Sequence, residues 1–181
     1  MTVELCEIGK PVTADDRAFI KILGYPPPPA AIDQLYVEFN GFSLIWRGSV
    51  QGREAQGSIN ILPFSVSASR PPKEETGAPL EGILWTEDSP DDVRDKLQKM
   101  TLFETLTGRS QFLTYVAGGR DSALFLVERD DIKPVVPGFD ATLATLFNYA
   151  GINGLRQMLV HSDWQKRIAE DPLLVQIASW K

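Results

Sequence analysis

Carboxylates are the side chains that this sequence supplies in the numbers and spacing needed for chemistry. Glu87, Asp88, Asp91 and Asp92 fall within six residues, and Glu128, Asp130 and Asp131 form a second group. Paired carboxylates can hydrolyse glycosides, and their oxygens suit hard cations such as calcium or magnesium. The spacing does not match an EF-hand loop, however, and acids at the head of a helix are expected from the helix dipole alone. The expected role of Glu87, Asp88, Asp91 and Asp92 is therefore a solvated helix start that also offers part of a surface to a cationic partner. A carboxylate-based or metal-dependent hydrolase is the alternative.

The other catalytic classes are thinly represented. His161 is the single histidine, so one chain cannot build a histidine-rich metal site, and its place late in a helix beside Ser162 suits a surface role. Cys6 is the single cysteine, which excludes an internal disulfide and paired-cysteine zinc frameworks. Its neighbours Glu4 and Glu7 oppose a thiolate, so a structural cysteine is expected. No G-x-S-x-G elbow occurs; Gly48-Ser49-Val50-Gln51-Gly52 puts its serine one place too early. Neither phosphate-loop pattern is present, and Gly118-Gly119 falls between strands rather than before a helix. No catalytic residue, cofactor or metal is assigned. Trp46 and Trp85 sit in strand-like segments and are expected to pack. Trp164 and Trp180 lie in the less regular tail, and Trp164 would be an interface anchor if exposed.

The elements that position these residues follow from periodicity and from breakers. Thr13 with Asp15 and Asp16 makes an N-cap and first turn, and Phe19, Ile20, Ile22 and Leu23 form the apolar side of a short helix. That helix must stop at Gly24, because Pro26 to Pro29 lack N–H donors and push Tyr25 out of the α region. Ile32, Leu35, Tyr36 and Phe39 then recur on one helix face, which Gly41 can close in the left-handed conformation. Phe42 to Trp46 reads as a buried strand, Gly48 to Gly57 as a polar hairpin loop, and Ile59, Ile61 and Phe64 as a second strand stopped at Pro63. Residues 65–79 read as an exposed, mobile loop and Gly82 to Trp85 as a short strand.

Ser89-Pro90-Asp91-Asp92 has the order of N-cap, N1 proline and first-turn acids, with Val93, Leu97 and Met100 at helical spacing. Gln111 to Ala117, Ser122 to Glu128 and Ile132 to Val136 form three strands joined by tight polar turns. Asp140 caps a helix through Leu143, Leu146, Phe147 and Ala150 that Gly151 closes, and Asn153 caps another. The expected fold is α+β: a mostly antiparallel sheet of about five to six strands flanked by N-terminal and C-terminal helices, in one domain spanning 1–181.

The order Leu23-Gly24, a proline loop ending at Pro29, a helix bearing Leu35-Tyr36 and Phe39, the Asn40-Gly41 stop and a strand containing Trp46 resembles the opening of SUKH-superfamily domains. These include the fungal Smi/Knr-type cell-wall regulators and many bacterial immunity proteins. The resemblance is densest over residues 18–62. It implies a non-enzymatic binding module, with Gly24, Pro29, Tyr36, Asn40, Gly41 and Trp46 as structural positions. An immunity protein that neutralises a toxin by direct binding is the most specific version, and a regulatory scaffold of Smi/Knr type is the alternative.

Composition agrees with a folded chain. Hydrophobic residues make up 43% and charged residues 23% of 181 residues, so wholesale disorder is not indicated. The net charge of −6 gives no basic footprint for nucleic acid and favours a basic protein partner, such as a basic toxin domain. The acidic N-terminus lacks the apolar core of a secretory signal, and no apolar run is long enough to span a bilayer. A cytoplasmic location without membrane contact is the expectation.

Overall fold

The computed structural model of the chain describes residues 2–50, 52–68, 88–106, 111–116 and 118–179. Its centre is one antiparallel sheet in which seven strands lie in sequence order: β1 (Thr2–Ile8), β2 (Phe42–Val50), β3 (Arg53–Ile61), β4 (Met100–Thr105), β5 (Gln111–Val116), β6 (Leu124–Glu128) and β7 (Asp131–Pro134). Among the described residues eight helices complete it: α1 (Ala14–Ile22), α2 (Ala30–Glu38), α3 (Phe64–Ala68), α4 (Asp91–Leu97), α5 (Phe139–Asn148), α6 (Leu155–Met158), α7 (Trp164–Glu170) and α8 (Pro172–Ala178). The α+β class is as expected, with one strand more than the expected five to six, and two of the seven were not among the expected strands. β1 and β4 are the additions.

Strand alternation divides the core into two. Trp46, Ile59, Ile61, Phe103, Leu113, Tyr115, Leu124 and Leu126 point to one face and meet Ile32 and Tyr36 of α2, Leu143 and Leu146 of α5, Leu155 of α6 and Leu174 of α8. Met100, Leu102 and Val127 point the other way and are covered by Leu97 and Val93 of α4. Met100, which sequence spacing put on α4, belongs instead to β4. There it packs with Leu97 in the second cluster.

The N-terminal region holds several differences from expectation. Thr13 and Asp16 form a reciprocal capping box on α1, and this bond holds the Asp16 carboxyl below its usual range. α1 ends at Ile22, with Gly24 at φ +76, where the prolines required it to end. Only Ile20 of its apolar side is buried, however; Phe19 and Ile22 are 60% and 81% exposed. α2 buries Ile32 and Tyr36 and half-buries Leu35 and Phe39 as the periodicity requires, and Pro29 is its N-cap. Its end is not closed at Gly41, because Phe39 and Asn40 already leave the helix. Asn40 accepts a bond from the Phe64 N–H at 2.6 Å, and Gly41 accepts one from the Gly9 N–H at 2.9 Å. Gly41 sits at φ +87, and a Cβ there would stand 3.2 Å from the Ile61 carbonyl oxygen. Gly41→Val should therefore cost about 1–2 kcal/mol or more, read as a lowered midpoint of urea unfolding.

Within the stretch from Gly48 to Gly57, residues 48–50 and 53–57 are strand rather than loop: β2 and β3 pair in continuous register from Phe42↔Ile61 to Val50↔Arg53. Its Gln and Gly content suggested a loop, yet Gly57 is needed because a Cβ there would lie 2.5 Å from the Trp46 indole nitrogen. Phe64 opens α3 rather than ending β3, so 65–68 are helical, while 69–79 and the Gly82–Trp85 strand lie outside the described residues. Gly138 and Gly154, not Asp140 and Asn153, occupy the N-caps of α5 and α6.

Two phenols fasten α2 and α3 to the sheet. Tyr36 donates to the Leu62 carbonyl at 2.9 Å, and Tyr115 donates to the Ser67 carbonyl at 2.8 Å. Burial pushes both hydroxyls up, that of Tyr115 to about 12. A phenol whose folded value lies above its unfolded value of about 10 stabilises fully below pH 10, and loses that contribution as pH rises through 12. The share from Tyr115 is about 2–3 kcal/mol, so unfolding midpoints should fall between pH 9 and 12, and Tyr115→Phe should make the fall shallower.

Candidate functional site

α4 begins after Pro90 and carries Asp91 and Asp92 in its first turn, with Arg94 and Lys96 in its last. Asp91 is ion-paired with Arg94, and Asp92 lies 3.6 Å from Lys96, so each acid has a cation one turn along. Asp88 is exposed just before the helix, and Glu87 lies outside the described residues. Ser89 does not cap the helix, although its position in the sequence suits that role. It is buried, and its hydroxyl donates to the Asp130 carboxylate at 2.7 Å.

This contact is what the tertiary structure adds. It fastens the segment carrying Asp88, Asp91 and Asp92 to the β6–β7 turn, which carries Glu128, Asp130 and Asp131. The apolar side of α4 supports the same arrangement, since Val93 and Leu97 pack with Val127 and Ile132 on both sides of that turn. The turn itself is tight, with Arg129 at φ +56, and Asp131 is held by Lys133 at 2.6 Å. Two acidic groups some forty residues apart in the chain thus share one exposed surface, with basic residues interspersed.

Among the described residues no three His, Cys, Asp or Glu side chains converge to hold a metal ion. His161 is exposed in the connection between α6 and α7, where it lines a crevice of about 70 Å³ with Glu128, Asp131 and Lys133. Substrate pockets are usually about 300–1,000 Å³, so this crevice is too small for one. Cys6 is exposed on β1 with no base in contact among the described residues. Trp164 is half-buried against the core rather than offered to solvent, and Trp46 is buried with its indole N–H donating to the Ala150 carbonyl at 2.7 Å. Trp85 and Trp180 lie outside the described residues.

The structure also holds features that sequence periodicity and motifs do not point to. A cleft of about 520 Å³ runs between the β2–β3 hairpin and the segment before α6, lined by Arg47, Glu54, Gln56, Ile152, Asn153 and Leu173. Glu104 and Arg156 form an ion pair almost wholly removed from solvent. Their signal was available: Glu104 interrupts the apolar strand Met100–Thr105, and Arg156 lies between Leu155 and Leu159. The pair sits where the sheet forks. β3 pairs with β4 only at Ile61↔Glu104, and the rest of that edge runs beside Gly151–Asn153. Arg156 donates to the Ser58 carbonyl at 2.8 Å and the Gly151 carbonyl at 3.2 Å, while Glu104 accepts from the Asn60 N–H at 3.4 Å. The two side chains stand in for the missing backbone ladder. Their role is structural.

No helix among the described residues is long and apolar enough to cross a membrane. No protein-family model matches the chain, and no curated protein or solved structure matches it.

Proposed function

We propose that this protein works by binding another protein and is not an enzyme, with neutralisation of a toxin as the most specific form of that reading. The observation that carries it is the exposed acidic surface joined by the Ser89–Asp130 bond and supported by the packing of α4 on both sides of the β6–β7 turn. Such a surface steers a basic partner by charge, and the net charge of −6 adds to the same field. The resemblance of residues 18–62 to SUKH domains supports an immunity role, in which the partner is a basic toxin domain and the site of action is the cytoplasm.

Co-expression tests this directly. If the gene preceding this one encodes a secreted protein with a toxic C-terminal domain, this protein should protect cells producing that domain and should bind it in purified form. Failure to bind or protect would favour a regulatory scaffold, and metal-dependent hydrolysis abolished by Asp91→Ala would favour an enzyme. With a partner in hand, charge reversal at Asp91 and Asp92 should slow association at low salt and change dissociation less. Stability should fall by no more than about 1 kcal/mol, the worth of two helix ion pairs and the first-turn dipole contacts. An association rate indifferent to salt and to both substitutions would rule out steering. The exposed Phe19 and Ile22 of α1, with Leu23 just after it, would then be the apolar surface to examine, since Trp164 is half-buried against the core.

A further inference from the structure

The two edges of the sheet are not alike. β7 has four residues, includes Lys133 and ends in Pro134, which are common devices for keeping an edge from pairing. β1 has seven residues, all exposed except Leu5, and contains no proline, lysine or arginine. Among the described residues nothing pairs with its outer side. Its backbone is ready to pair. The Gly9 N–H donates to Gly41 beside β2, so by strand alternation Glu7 faces β2 while Cys6 and Ile8 turn their N–H and C=O groups outward.

Side chains along this edge specify what could join it. Val3, Cys6 and Ile8 lie on one face, with Val3 and Ile8 48% and 67% exposed. Glu4 and Glu7 lie on the other. Glu4 is 3.1 Å from Arg47, whereas Glu7 has no partner among the described residues. Beside Glu7 and Ile8 a groove of about 450 Å³ opens, lined by Asn40, Ser43 and Asn60. Across its floor the Ser43 hydroxyl donates to Asn60 at 2.8 Å, and the Asn60 amide donates to the Thr105 hydroxyl at 2.6 Å.

We propose that the outer edge of β1 accepts an extended basic segment of the partner protein by strand addition. This rests on the protein-binding reading above and names the seat and the chemistry of what is bound. Backbone bonds to Cys6 and Ile8 hold the added strand. Alternate Lys or Arg side chains lie over Glu4 and Glu7, and the intervening apolar ones lie beside Val3 and Ile8. A second copy of the chain fits less well. Antiparallel pairing of two β1 strands would bring Glu4 and Glu7 of both copies onto one face at a strand spacing of about 4.8 Å, where like charges repel.

The test uses the whole protein and a fluorescein-labelled decapeptide of alternating lysine and valine, with binding read by anisotropy. The control peptide has the same sequence with N-methyl groups on alternate residues, which keeps charge and side chains but removes one pairing edge. A glutamate–valine peptide checks charge. The lysine–valine peptide should bind, the N-methylated one at least about tenfold more weakly, and the acidic one not detectably. Glu7→Gln should weaken binding by about threefold or more without changing the far-UV circular dichroism, because Glu7 is exposed. Bound peptide should also slow alkylation of Cys6, the single thiol, which lies on the edge strand. Equal binding of plain and N-methylated peptides would reduce the effect to surface charge and overturn the proposal. So would absence of binding, or a concentration-dependent dimer that protects Cys6 without peptide. Cells still protected on co-expression under any of these outcomes would remove the β1 seat and leave the protein-binding reading standing.

Discussion

Arg156→Met should lower the stability of the protein by about 3–5 kcal/mol, because it strands the Glu104 carboxylate in the core without its counter-charge. Arg156 and Glu104 are 1% and 0% exposed, and the guanidinium donates to the carboxylate through Nε at 2.9 Å and through a second, shorter bond. The decisive variant is the double one. Exchanging both members of a buried pair for apolar residues is often neutral in other proteins. Here Glu104→Leu with Arg156→Met would also orphan the Ser58 carbonyl and the Asn60 N–H at the fork in the sheet. Each buried orphan costs about 1–3 kcal/mol, so the double variant should remain about 2 kcal/mol or more below the parent in urea unfolding. Full recovery would mean that the pair does not replace the missing ladder.

The second large effect is expected at Gly151. It sits at φ +59, its carbonyl accepts the Ser58 N–H at 3.0 Å, and an added Cβ would lie 2.2 Å from the Ser58 carbonyl oxygen. Gly151→Val combines left-handed strain with a backbone collision, for a cost of about 2–5 kcal/mol. Gly154 separates the two causes, since it is at φ +90 with open space around it. Gly154→Val should show the strain alone, about 1–2 kcal/mol. Equal losses at both positions would mean that the approach of 151 to β3 contributes nothing.

Local rules account for much of the chain. The end of α1 near Gly24, the N-terminus of α2 at Pro29, its buried Ile32 and Tyr36, and the β5–β6–β7 meander all follow from proline sterics, helical period and strand alternation, which act within a few residues. Expectations failed where a tertiary contact outweighed the local signal. Ser89 has the type and place of an N-cap, yet its hydroxyl goes to Asp130. Phe19, Ile22 and Leu23 have the spacing of a buried stripe, yet α1 turns only Ile20 inward. The Gln- and Gly-rich run after Gly48 looks like a loop because Gly57 looks like a breaker, when its missing side chain makes room for Trp46. β1 carries little local strand signal, because its apolar alternation is short and interrupted by Glu4 and Glu7.

The sequence by itself determined the fold class, the scarcity of catalytic side chains and the sign of the protein's electric field, because composition and short-range periodicity suffice for each. Only the tertiary structure decided which acids share a surface, which strand is left at an open edge and why an arginine lies in the core. Those outcomes depend on pairings between residues some forty to a hundred positions apart, such as Ser89 with Asp130 and Arg156 with Ser58. No local propensity encodes such a pairing. It is selected by the burial and hydrogen bonding of the whole sheet at once.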